Sequence, residues 1–310
     1  MSERSVNIQE LTEHKLLWGD LMWVKKSGNS TRVGSCGEFV DLEFVNKLVE
    51  KEATLEMNSY INWKLVNEQL EVFKKLEVAT NERERVELRD QFWIPFSSTF
   101  LGSEEGSYID WFTICYRSFY ELPKDIEDIY YLKNSDALKR SMALASMTTL
   151  LAFAMGHMNY SFLKKLFNSC LVADLDFVNK GMSEFHLRDL EKQRVEQSSA
   201  FESQLLKQFS HHGANVDQYL DQVTEGEFIF KHLVKLHHEN LSLGNGPEGL
   251  WSSEVGDLAH IMSFVENLIP YVDFDLRKGD ATGLLTDYIS KLRGFERLKA
   301  MMRLEVGRTA

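Results

Sequence analysis

Only four prolines, Pro95, Pro123, Pro247 and Pro270, stand in the way of helix formation along these 310 residues. Proline removes a backbone donor and its ring clashes with the preceding turn, so its scarcity favours long helical runs. A mainly α protein is expected. The length suits two ordinary domains better than one large one. Apolar residues at 44% and charged residues at 26% belong to a folded globular chain rather than a disordered one.

The exception to helix lies near the N-terminus. Leu21-Met22-Trp23-Val24 is a short apolar run, Ser27-Gly28-Asn29-Ser30 is turn-like, and Thr31-Arg32-Val33 fits the returning strand of a hairpin. Leu42, Val45, Leu48 and Val49 then recur at helical spacing behind a capping Asp41, and residues 53–57 fit a further strand. Residues 18–60 thus read as strand, strand, helix, strand. An amphipathic helix rich in Glu and Lys is expected from Trp63 to about Leu88, and an aromatic core segment from Ile109 to Tyr120. Leu122 to Asp136, with Pro123 and several acidic residues, is the candidate boundary. It divides an N-terminal α+β and helical regulatory part, 1–128, from a helical part, 129–310.

The formal charge of -12 argues against binding a nucleic acid polymer, because phosphate-backbone affinity comes from lysine and arginine displacing counterions. Cys36, Cys115 and Cys170 are far apart and form no CxxC pair, so neither a disulfide framework nor a cysteine zinc site is expected. The first residues, MSERSVNIQELTEHK, lack the apolar run of a signal peptide. The most apolar stretch, Met142 to Met155, is too short to span a bilayer and reads as a buried core helix. A cytoplasmic protein is expected.

The histidines cluster late, as the adjacent pairs His211-His212 and His237-His238 among nine in all. Neutral imidazole is a common transition-metal ligand. Adjacent residues point about 100° apart on a helix, so such pairs could act together only across packed helices. The plainer alternative is four hydrogen-bonded histidines with no ligand.

The text around the second pair adds to this. His237-His238-Glu239 continues as Asn240-Leu241-Ser242-Leu243-Gly244-Asn245-Gly246-Pro247-Glu248-Gly249-Leu250. It resembles the signature segment of the HD-GYP family, bacterial cyclic di-GMP phosphodiesterases of the HD superfamily, whose motif runs HHE, then R-x-D-G-x-G-Y-P, then x-G-L. Laid on without a gap, HHE, Pro247 and Gly249-Leu250 coincide. Asn240 stands for the arginine, Ser242 for the aspartate and Gly246 for the tyrosine. In the same register the metal-bearing carboxylate of the later helix falls on Glu266. The histidine-aspartate doublet falls on Ala173 and Asp174, its following lysine on Phe177, the earlier helical histidine near Ser141, and the later one on His211 or His212. Residues 20–50 are loosely similar to the small α+β module that often precedes such domains.

The resemblance covers about residues 135–295. It implies an all-α HD-like helical bundle in the C-terminal part, behind a small N-terminal α+β domain. Two or three metal ions activate a water in that family, which requires several ligands at once. The candidate metal ligands here are Asp174, His211, His212, His237, His238 and Glu266. Ser141, Ala173 and Phe177 mark losses, so a complete binuclear centre is not expected. The remaining set leaves either one residual transition-metal ion, iron or manganese, or none. The implied role is a non-catalytic HD-GYP-like signalling protein, a binding or scaffold module in bacterial cyclic di-GMP signalling. The alternatives are an active metal-dependent phosphodiesterase with an unusual metal set, and a helical protein-interaction domain with no nucleotide link. Candidate partners are cyclic di-GMP, a signalling protein and a second copy of the chain. Arg277, Lys278, Lys291 and Arg293 could supply phosphate contacts. The apolar positions between Ala281 and Met302 fit core packing or a dimer.

Overall fold

The computed structural model describes residues 2–5, 16–40, 42–51, 54–100, 107–133, 135–181, 215–237 and 255–269. They form a mostly helical protein with a small antiparallel sheet at its N-terminal end. The strands β1 (Ser2–Ser5), β2 (Gly19–Val24), β3 (Ser30–Gly34) and β4 (Thr54–Ser59) lie in the order β1-β4-β2-β3. Helix α1 (Leu42–Glu50) sits between β3 and β4 in the chain. This is the expected strand, strand, helix, strand order.

Alternation along the strands explains why the sheet holds. Leu55 and Met57 of β4 and Leu21 of β2 are buried with Val45 and Leu48 of α1, Leu17 and Val40 in a small core of their own. The β2–β3 hairpin turns at Gly28, whose φ of 83° lies in the left-handed region that glycine adopts without penalty. Gly19 serves a different need. A Cβ there would stand 2.2 Å from the Asn58 carbonyl oxygen, so only hydrogen lets β2 approach β4 this closely.

The helices follow as α2 (Trp63–Val78), α3 (Glu82–Phe100), α4 (Tyr108–Phe119), α5 (Lys124–Lys133), α6 (Ser135–Ala154), α7 (Tyr160–Val172) and the short α8 (Leu175–Asn179). Beyond residue 214 come α9 (Asp217–Thr224), α10 (Phe228–Leu236) and α11 (Val255–Leu268). One expectation needs correction. The helix expected from Trp63 to Leu88 is two helices. Ala79 leaves α2 in an extended conformation, and the Asn81 side chain accepts the Glu84 amide at 2.8 Å to start α3. The expected division at residues 128 and 129 falls within α5, and one hydrophobic core takes residues from both sides of it, from Leu16 to Ile269.

That core is organised around α6. Every residue from Ser141 to Phe153 is buried, which is the signature of a helix enclosed on all sides. Helices α3, α4, α5, α7 and α11 pack on it. Its Ala143, Ala145 and Ala152 are small enough for neighbours to come close. The sheet joins this core at its base, through Phe39 against Tyr116 and Trp18 against Trp63, both edge to face near 6 Å. Among the described residues no helix is long and apolar enough to cross a membrane.

Candidate functional site

Four buried charged or ionisable side chains meet at one end of α6. Arg140 comes from α6, Asp174 from the turn between α7 and α8, His237 from the C-terminal end of α10, and Glu266 from α11. One terminal nitrogen of Arg140 donates to Asp174 Oδ2 and the other to Glu266 Oε1. The side chains are 6%, 8% and 5% exposed, so both ion pairs are removed from water. His237 Nδ1 donates to the Val234 carbonyl, which turns Nε2 toward Asp174 Oδ1 at 3.4 Å.

Local sequence explains each placement. Ala173 caps α7, and Asp174 opens the next short helix, its carbonyl accepting the Phe177 amide at 3.0 Å. Breaking the chain there aims the Asp174 side chain inward instead of along a helix face. His237 follows the last residue of α10, where the helix dipole favours a cation.

The charges of the cluster act on one another. Burial alone would push the His237 imidazole down. The hydrogen bond and charge of Asp174, the charge of Glu266 and the Val234 carbonyl outweigh it, and the pKa lies above its ordinary value. A carboxylate held by Arg140 can only accept, so Nε2 must carry a proton to bond it. With His237 protonated, it and Arg140 face the carboxylates of Asp174 and Glu266.

The next layer is polar but not ionic. Tyr130 on α5 donates to the Leu171 carbonyl and lies 3.3 Å from the Ser141 hydroxyl. Burial, opposed by the Ser141 bond, holds the Tyr130 phenol well above its usual value. Cys170 lies on α7, one turn before Asp174. Burial pushes its thiol up to about 12, with the carboxylates of Glu266 and Asp174 adding to the effect, and burial raises the Cys115 thiol further. None of the three cysteines is in a disulfide, and all three are buried. In Ellman's reagent at pH 8, Cys115 and Cys170 of the native protein should stay unmodified, then react fully once urea opens the core. Fast native labelling of either would contradict this burial.

Of the expected metal ligands, the structure brings Asp174, His237 and Glu266 together. His211, His212 and His238 lie outside the described residues, as do the rest of the signature segment from Glu239 to Leu250 and the downstream basic residues. Ser141, Ala173 and Phe177 are all buried. Phe177 therefore packs into the protein at the place where the resemblance would put a lysine. Sequence reasoning missed Arg140. Its one signal is position, a permanent charge one residue before the fully buried stretch that begins at Ser141.

Among the described residues, Asp174, His237, Glu266 and Arg140 do not by themselves fit a metal ion. A guanidinium has no lone pair to give, and its two terminal nitrogens hold one oxygen of each carboxylate, Asp174 Oδ2 and Glu266 Oε1. Among the described residues no group of three or more His, Cys, Asp and Glu is arranged to hold one. Comparison with protein-family models, curated proteins and solved structures finds no match to this chain.

Proposed function

We propose that the chain is a non-catalytic HD-GYP-like signalling protein, a binding or scaffold module in bacterial cyclic di-GMP signalling with an HD-like helical bundle as its C-terminal part. The observation that carries this reading is convergence. Asp174, His237 and Glu266 were picked out by the register of one motif, and Asp174 stands 63 residues from His237. They come from three separate elements yet lie in one buried cluster beside α6. Coincident positions in a text have no reason to meet in space, whereas ligands of an ancestral centre do.

Absence of catalysis follows from the chemistry left. Hydrolysis of a phosphodiester in the family depends on metal-activated water and on clamped phosphate oxygens. Ala173 offers no ligand, Ser141 is turned to Tyr130, and Phe177 brings no charge. What this chain's residues do instead is neutralise one another and lock four elements of the bundle together. A surface built on that rigid frame can bind and signal without turnover.

Purified protein, analysed for iron and manganese and assayed with cyclic di-GMP for both binding and hydrolysis, tests this directly. Binding without turnover is expected. Turnover with stoichiometric metal would establish the active phosphodiesterase. Failure to bind the dinucleotide at all would leave a helical interaction domain.

A further inference from the structure

Two carboxylates and an imidazole gathered in a helical core need a compensating cation. In this chain the cation is covalently attached. Arg140 projects from the most enclosed helix and divides its two terminal nitrogens between Asp174 and Glu266, partners 34 and 126 residues away. A guanidinium is always charged, and its rigid fork can hold two carboxylates at once. A divalent ion would take the same oxygens at about 2.0–2.6 Å. For Asp174 Oδ2 and Glu266 Oε1 the guanidinium and such an ion are competitors.

We infer that Arg140 is the resident cation of this centre, standing where the resemblance puts a metal ion and clamping α6, the α7–α8 turn and α11 without one. The inference rests on the proposed reading only for the idea that these carboxylates descend from a metal site. The ion-pair geometry stands by itself. On this inference the decayed metal centre is a structural one, in which the charge the lost ligands served is supplied from α6.

Two properties follow. The native protein should be indifferent to chelators. Removing the guanidinium should expose Asp174, Glu266 and His237 to a shared space, a donor set that suits a divalent transition metal.

The test is the melting temperature of the full chain with EDTA, with manganese and with zinc, for the native protein, Arg140→Ala and Arg140→Lys. The native value should not move with any addition. Arg140→Ala should melt roughly 6 °C or more lower, and should recover part of that loss with manganese or zinc. Arg140→Lys should fall between them and show no metal response, since the ammonium keeps the charge in place. A native protein that melts lower in EDTA would overturn the inference. So would an Arg140→Ala protein that melts like the native one, or that melts low and ignores both ions. Should Arg140→Ala not fold, the chelator arm and Arg140→Lys decide, and a metal response in either overturns it. Cyclic di-GMP binding is a separate reading. Its failure would remove the nucleotide proposal and leave these melting curves unchanged.

Discussion

Asp174→Ala should lower the stability of the folded chain by about 3–5 kcal/mol, the range found when one partner of a buried ion pair is removed. Asp174 is the hinge of the cluster, because it meets both Arg140, through Oδ2, and His237, through Oδ1. Without it the buried guanidinium loses one of its two ion pairs and keeps the one to Glu266. His237 loses the hydrogen bond that raises its pKa, and burial then favours the neutral ring, which limits the damage. Asp174→Asn is the informative control. It keeps the shape and one accepting oxygen, so its loss should be distinctly smaller than that of alanine. A shift in the urea midpoint measures both. Since folded domains are stable by only about 5–15 kcal/mol, the alanine variant should approach the limit of folding. An alanine loss under about 1 kcal/mol would mean that water reaches the pair and that the centre does not clamp the bundle.

That centre was half legible in the sequence, and the halves differ for a physical reason. Asp174, His237 and Glu266 could be named because their residue types and spacing follow one motif. Arg140 could not, because its function lies wholly in its partners. In the text it sits in Lys139-Arg140-Ser141, a polar opening to a helix of the kind that usually faces water. Only the three-dimensional arrangement brings Asp174 and Glu266 to it. The sheet was readable for the opposite reason, since alternation within six residues decides which face of a strand is buried. The break between α2 and α3 was lost in a continuous Glu and Lys pattern. Its signal was local, an Asn81 cap with Glu84 three residues on, but the amphipathic period ran through it. Leu122 to Asp136 carries a related local signal. Pro123 stands just before α5, where proline is tolerated in the first turn, so it marks the start of a helix.

Phe92→Ala should be as costly as losing Asp174, about 3–5 kcal/mol, though for a different reason. Phe92 is fully buried on α3. Its ring lies 4.9 Å from Phe153 of α6, 5.0 Å from Phe96, 5.7 Å from Trp111 of α4 and 5.8 Å from Phe73 of α2, centroid to centroid. One side chain therefore joins four helices, and these contacts form the aromatic cluster that the Ile109 to Tyr120 segment foreshadowed. Truncation removes the transfer energy of the ring and leaves a cavity that four rigid aromatic neighbours cannot easily fill. Favourable ring pairs, each worth about 0.5–1.5 kcal/mol, are lost with it, although they do not add independently. Phe92→Leu should recover much of the loss by filling the volume without the ring geometry. Ile94→Ala, two residues on and 68% exposed, should change stability by no more than about 0.5 kcal/mol. The contrast with the ionic centre lies in ion dependence. Phe92→Ala should melt low with or without manganese, because it leaves Arg140, Asp174 and Glu266 intact. Recovery with metal should belong to Arg140→Ala alone, and its appearance in Phe92→Ala would show that loosening the core, rather than removing the guanidinium, admits the ion.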